Sequence, residues 1–276
     1  MLSSKMPHQE FESPEKLRDI IKCFWYYKRD FGELESGFAV VPDGYAEIIF
    51  YFGSVCSISY NGAMHPLPSP FMMGLINQPV HFYTKDCFEI IGVRCFPWTV
   101  FDLLGLPSGK DGVRIFEHPI AQLQSALNEL VLVGKIDEAV AQVTQYFVSE
   151  RSQTAADNGM LSKAGIAMRN ANGTMPVSQV AAAAHATVRT LERKFRQSSG
   201  YTVKDVSGLM RFEQVRNQLW LDPDSSLAGL AHELGYTDQS HLSREFKRYS
   251  GTTPAAFARN TKKQIIKEDF VAFIQA

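Results

Sequence analysis

A chain of 276 residues, 45% hydrophobic and 21% charged with a formal net charge of −1, is long enough for two domains with separate cores. No apolar run approaches the length of a membrane span, and Met1 to Glu15 is polar and broken by Pro7 and Pro14, without the apolar core of a signal peptide. The near-neutral balance conceals an asymmetry: residues 160–276 carry 16 Lys+Arg against 10 Asp+Glu and residues 1–159 carry 12 against 19, the footprint of a DNA-facing domain tied to an acidic partner domain.

Pro14 to Tyr27 reads either as a short helix or as an extended edge. Segments rich in β-branched and aromatic residues follow, at Gly37 to Val41, Ala46 to Phe52, Ser57 to Tyr60, Phe71 to Ile76, Val80 to Tyr83 and Phe88 to Phe96. Turn residues such as Pro42-Asp43-Gly44 and Asn61-Gly62 separate them, which predicts a small antiparallel sandwich or barrel. Thr99 to Leu104 reads as a short apolar helix. Ile120 to Val148 reads as one or two longer ones, with stripes at Leu123, Leu127, Leu130, Val131 and at Ala139, Val143, Phe147. The first stripe is a ready helix-pairing face for a dimer, or else it packs on the β-rich core.

The chemistry-bearing residues of this half are sparse. His65 and His81 lie on separate segments, so no metal site is expected, and no G-x-S-x-G elbow is present. Cys23, Cys56, Cys87 and Cys95 are irregularly spaced and read as buried thiols in a reducing cytoplasm. Glu89 and Arg94, in an apolar strand, either reach inward to bind a polar effector or form an edge-strand ion pair with solvent. The aromatics Phe50, Tyr51, Phe52, Phe82, Tyr83 and Phe88 are more often core than a ligand cage.

Residues 151–159 are polar and without period and are taken as a linker between a domain at 1–150 and one at 160–262, with a tail at 263–276. A helix from about Leu161 to Asn170 opens the second domain. Beyond it the sequence repeats itself. Leu191, Arg193, Phe195, Ser199, Gly200 and Thr202 match Leu242, Arg244, Phe246, Ser250, Gly251 and Thr253. Val177, Val180, Ala181 and Ala184 echo Leu227, Leu230, Ala231 and Leu234, with one residue more in the second turn. Each copy is a helix-turn-helix, with Thr187 expected to cap the second helix of the first copy, and Lys204 to Leu221 forms a long helix between the copies. His185 occupies the turn position that Gly235 fills in the second copy, and histidine accepts a left-handed backbone at some cost in strain.

The run L-G-Y-T-D-Q-S-H-L-S-R-E-F-K followed by G-T-T-P resembles the signature of the AraC/XylS family of transcriptional regulators, over roughly Met160 to Arg259. The stretch V-P-D-G-Y-A-E-I-I-F, with G-L-I-N-Q-P and I-I-G-V-R-C-F-P, is similar to one amino-terminal domain type found in that family. The resemblance implies an α+β chain: a β-rich, barrel-like (cupin-like) sensor or dimerisation domain with helices, then an all-α tandem helix-turn-helix domain. It assigns base-facing positions to Arg189, Glu192 and Arg193 in the first unit and to Gln239, Ser240, His241 and Arg244 in the second. Arg196 shares a face with Arg189 and Arg193, and Lys247 suits a phosphate. A solvated surface also accounts for the three arginines. Glu192 accepts from a cytosine amino group, or pairs with Arg189 or Arg196.

The expected partners are double-stranded DNA, a small-molecule effector, RNA polymerase and a second copy of the chain, with no cofactor, no metal and no membrane. The competing reading is a small-molecule-binding barrel or enzyme with a regulatory helical tail.

Overall fold

The apolar run from Cys23 to Tyr27 has no period because it lies in a strand covered on both faces. In the computed structural model, which describes residues 8–32, 36–60, 63–106, 112–153 and 159–264, the first half holds ten strands. They are β1 (His8–Glu12), β2 (Ile21–Asp30), β3 (Ser36–Val40), β4 (Ala46–Gly53), β5 (Ser57–Tyr60), β6 (Ala63–Pro66), β7 (Phe71–Met73), β8 (Val80–Thr84), β9 (Cys87–Cys95) and β10 (Val113–Arg114). One sheet has the order β1-β2-β9-β4-β7-β10 and the other β3-β8-β5-β6, all pairings antiparallel. The two face each other as a sandwich and do not close into a barrel. Of the two readings of Pro14 to Tyr27, neither suffices: a 3-10 turn spans Glu15–Leu17, and β2 lies inside its sheet, between β1 and β9.

Strand alternation sends the large sheet into two cores. Trp25, Ile49, Phe71 and Phe88 meet Val40 and Phe82 of the small sheet. The opposite face, with Phe24, Ile48, Phe50 and Val93, is covered by α1 (Thr99–Leu104), α2 (Leu123–Leu132) and α3 (Ile136–Gln153). The stripe expected to pair helices is consumed there. Leu127 and Val131 are buried and Leu123 and Leu130 partly so, because a large sheet face of this kind needs a cover. Ala139, Val143 and Phe147 are buried in the same core, as their spacing predicts. The helix α3 runs to Gln153, so the polar stretch begins helical; residues 154–158 of the expected linker, the Asn61-Gly62 turn and the tail beyond Gln264 lie outside the described residues.

The second half is helical: α4 (Met160–Asn170), α5 (Val177–Ala183), α6 (Val188–Ser199), α7 (Val203–Leu221), α8 (Leu227–Glu233), α9 (Gln239–Ser250) and α10 (Pro254–Gln264). Val206, Leu209, Met210, Val215 and Leu219 of α7 face inward. A capping box starts this helix, Thr202 Oγ1 accepting from Asp205 N and the Asp205 carboxylate accepting from Thr202 N. Its core also takes in Leu75, Phe96 and Trp98 of the first half, so the two halves share one apolar cluster.

Candidate DNA-reading surface and sensor cavity

Each helix-turn-helix is closed by its own chemistry. Between α5 and α6 His185 stands at φ 52°, and between α8 and α9 Gly235 stands at φ 67°, so the histidine does take the left-handed turn. Thr187 Oγ1 accepts from Thr190 N at 3.2 Å to start α6, and Asp238 Oδ1 accepts from His241 N at 2.7 Å to start α9. Gly200 and Gly251 end both helices at φ 78° and 74°. Ser226 caps α8 and Thr253 caps α10.

With Leu191 and Phe195 of α6, and Leu242 and Phe246 of α9, buried at 0 to 1% exposure, the opposite faces turn outward. Arg189, Arg193 and Arg196 are exposed on α6; Gln239, Ser240, Arg244 and Lys247 are exposed on α9, and Thr187 is exposed at its cap. Two of the expected reading residues depart from this. Glu192 is half covered, its Oε2 buried without a hydrogen-bond partner, and it forms no ion pair with Arg189 or Arg196 among the described contacts. His241 is half-buried, edge-on to the Tyr236 ring at 5.4 Å, with its Nδ1 accepting from Thr237 N at 3.4 Å. A brace that the sequence did not reveal joins the second unit to the rod: Arg211 of α7 donates to Glu245 of α9 at 3.1 Å and to the Gly173 carbonyl at 3.1 Å.

The two effector candidates separate. On β9 they point to opposite faces of the sheet. Glu89 accepts from Tyr26 Oη and pairs with Lys28 at 2.8 Å, near solvent. Burial and then the Glu89 contact push the Tyr26 hydroxyl pKa up. Arg94, 4% exposed, points inward, where its Nε donates to Glu47 at 2.7 Å and its Nη2 pairs with Asp43 at 2.9 Å. Burial alone would lower Arg94, but the two carboxylates reverse that and keep it charged. Burial raises Glu47, against the pull of Arg94.

Next to this pair lies a small apolar cavity between the sheets, about 30 Å³ and partly open to solvent, lined by Trp25, Phe38, Ile49, Phe82, Phe88 and Glu47. Gly92 makes room for the indole of Trp25, which stands 2.1 Å from where a Cβ would be. Of the sequence-singled aromatics, Phe82 and Phe88 line the cavity, while Phe50 and Phe52 are in the core on the other face. Cys56 also lines it, its thiol pushed up to about 12 by burial. No disulfide joins the cysteines, and Cys87 is only half-buried. Among the described residues no three His, Cys, Asp or Glu gather as metal ligands would, and no helix is long and apolar enough to cross a membrane.

Residues 180–260 match a helix-turn-helix domain, and residues 9–110 match a domain of unknown function, DUF6597. The chain is 24% identical over 141 residues to the Msm operon regulatory protein of Streptococcus mutans, covering 49% of this chain and 49% of that one. It is 25% identical over 167 residues to the HTH-type transcriptional activator RhaS of Pectobacterium carotovorum, covering 54% and 60%. The carboxy-terminal part of the chain carries an AraC-type helix-turn-helix domain. The chain spans less than two thirds of the length of either relative. Among solved structures, ToxT of Vibrio cholerae O395 is 11% identical over 86% of this chain and 96% of its own, with a TM-score of 0.45. The AdpA DNA-binding domain, in complex with a target DNA, is 23% identical over 40% of this chain and 96% of its own, with a TM-score of 0.35. Overlaps this loose carry no functional argument. The AraC-type domain coincides with the tandem repeat, and the second match coincides with the sandwich.

Proposed function

We propose that this protein is a sequence-specific transcriptional regulator in which the two helix-turn-helix units read successive major grooves and the sandwich receives a small-molecule effector. The observation that carries the reading is the pair of matched recognition helices, each capped at its start by a side-chain oxygen and closed by a glycine, each apolar inside and cationic outside, in two units joined by one largely buried helix. The reading residues are Arg189, Arg193 and Arg196 on one unit and Gln239, Ser240, Arg244 and Lys247 on the other. Thr187 acts first as a cap, His241 by a local brace, and Glu192 only after leaving its covered position. The effector is a small apolar molecule seated between the sheets. A second copy of the chain and RNA polymerase are the protein partners, and the cytoplasm is the compartment. The test is duplex binding at graded salt. A slope of log affinity on log salt of several units supports the reading, since every neutralised phosphate releases counterions. Binding that is absent, or indifferent to salt, overturns it.

A further inference from the structure

A line of buried contacts runs from the sandwich interior to α7. At its inner end Glu47, 2% exposed, lines the cavity, and its carboxylate is held by Arg94 Nε at 2.7 Å. Arg94 next holds Asp43 Oδ2 at 2.9 Å, while Asp43 Oδ1 accepts from Tyr45 N at 3.1 Å. Asp43 belongs to the short loop between β3 and β4. The same loop is gripped from outside: Arg216 of α7 donates from Nη1 to the Pro42 carbonyl at 3.1 Å, and Glu213, one turn earlier, has its Oε2 3.8 Å from where Gly44 would place a Cβ.

Arg216 is an expensive residue for this position. It is 3% exposed, and among the described residues its Nε has no hydrogen-bond partner and it reaches, besides Pro42, only Asn217 at 3.4 Å. No carboxylate lies within ion-pair distance among the described residues, although Asp43 is the negative charge acting most strongly on it. A buried guanidinium so poorly paired stabilises little by itself. Its position is explained if its task is to register where the loop stands.

We propose that the Pro42–Gly44 loop is the coupling element between the sandwich interior and the helix that spaces the two DNA readers, with Asp43–Arg94 as its inner hook and Pro42–Arg216 as its outer hook. This rests on the sensor-and-reader function proposed above. An occupant of the cavity that displaces Glu47 shifts Arg94, the inner hook pulls the loop, and the outer hook moves α7, which carries α6 at one end and braces α9 through Arg211. Packed interiors pass on such shifts because they hold a few discrete arrangements and do not deform continuously.

The experiment is hydrogen exchange of the α7 amides in the full chain, read as a double-mutant cycle. Glu47→Gln with Arg94→Gln cuts the inner hook without leaving Glu47 buried beside a lost cation, and Arg216→Met cuts the outer. Each should speed exchange around residues 213–217 by about fivefold, the low end of site-to-site coupling. The combination should do no more than either alone, because both release one loop. If the inner pair does not fold, Asp43→Asn, which spares the Glu47–Arg94 contact, takes its place with the same expected outcome. Unchanged exchange on cutting the inner hook, or effects that simply add, overturns the coupling. Duplex affinity measured on the same proteins separates the two ideas. Loss of all DNA binding in the parent sinks the regulator reading, whereas an additive cycle in a protein that binds DNA sinks only this one.

Discussion

Trp98, three residues beyond the end of β9, lies so close to the backbone of Gly165 in α4 that a Cβ there would stand 1.9 Å from the ring. Phe96 stacks on the same indole at 5.7 Å, and the Arg169 guanidinium sits 3.6 Å from the Phe96 centroid, so one aromatic pair seals the junction of the two halves. Gly165→Ala should therefore cost about 1 to 3 kcal/mol by overpacking. Tryptophan fluorescence during thermal unfolding should show the junction loosening early. A variant that melts with the parent would mean the contact yields freely.

The two turns make a matched pair of tests. His185 and Gly235 hold the same left-handed position, and only the glycine does so without a steric penalty. Replacing Gly235 by Ala should destabilise by about 1 to 2 kcal/mol. His185→Gly should gain less than about 1 kcal/mol, since relief of strain is offset by the greater freedom of glycine in the unfolded chain. Denaturant midpoints of both variants check the signs, and a destabilised His185→Gly protein would show that the imidazole makes a contact worth more than its strain.

Acidity should act at the junction. Burial pushes the Glu213 carboxyl up to about 7, with Asp43 adding to the rise and Arg216, Arg94 and Lys22 opposing it. Between its ordinary value of 4.5 and about 7 the native protein keeps a proton that the unfolded chain has lost. Stability from this group is therefore full at the acid end, falls as pH rises through that window, and stays low above it. Glu213→Gln should flatten the dependence of melting temperature on pH over the window, and a slope equal to that of the parent would assign the effect to other groups.

Much of this molecule was legible because its signals are local. The repeat placed both recognition helices, the cap at Thr187 and the strained turn at His185, since each depends on residues a few positions apart. The strands β3, β4, β5, β7, β8 and β9 were marked by turn residues, whereas β6 was not singled out. What stayed hidden depends on distant partners. An unbroken apolar run such as Cys23 to Tyr27 has no period when both its faces are covered, so β2 was ambiguous. The stripe on α2 fitted an intermolecular or an internal partner equally until the sheet face that needed it was known. Glu47, an acid inside an apolar strand, was a visible anomaly, but its pairing with Arg94 follows from strand register, Glu47 lying opposite Arg94 on the neighbouring strand. The Arg211–Glu245 brace crosses 34 residues and leaves no pattern.

The reading geometry gives the last prediction. Two helix-turn-helix units at fixed positions along α7 should enter successive major grooves on one face of the duplex, about 34 Å apart. Arg193 and Arg244 stand at the same point of the repeat and both are exposed. Replacing either by Ala should cost about 1 to 3 kcal/mol of binding to the natural site, with discrimination lost only in that unit's half. Lys247→Ala should weaken all sequences alike and flatten the salt dependence, because a phosphate contact carries no base information. Glu192→Gln supplies the contrast: its carboxylate is half covered, so it should leave base preference in the first half-site unchanged, unless the helix repositions on DNA to expose it. Footprinting with a mutated-base series on the promoter reads all four variants. Protection of a single groove, or an Arg244→Ala protein with an intact preference, would show that the second unit does not read bases, whatever the family of the chain.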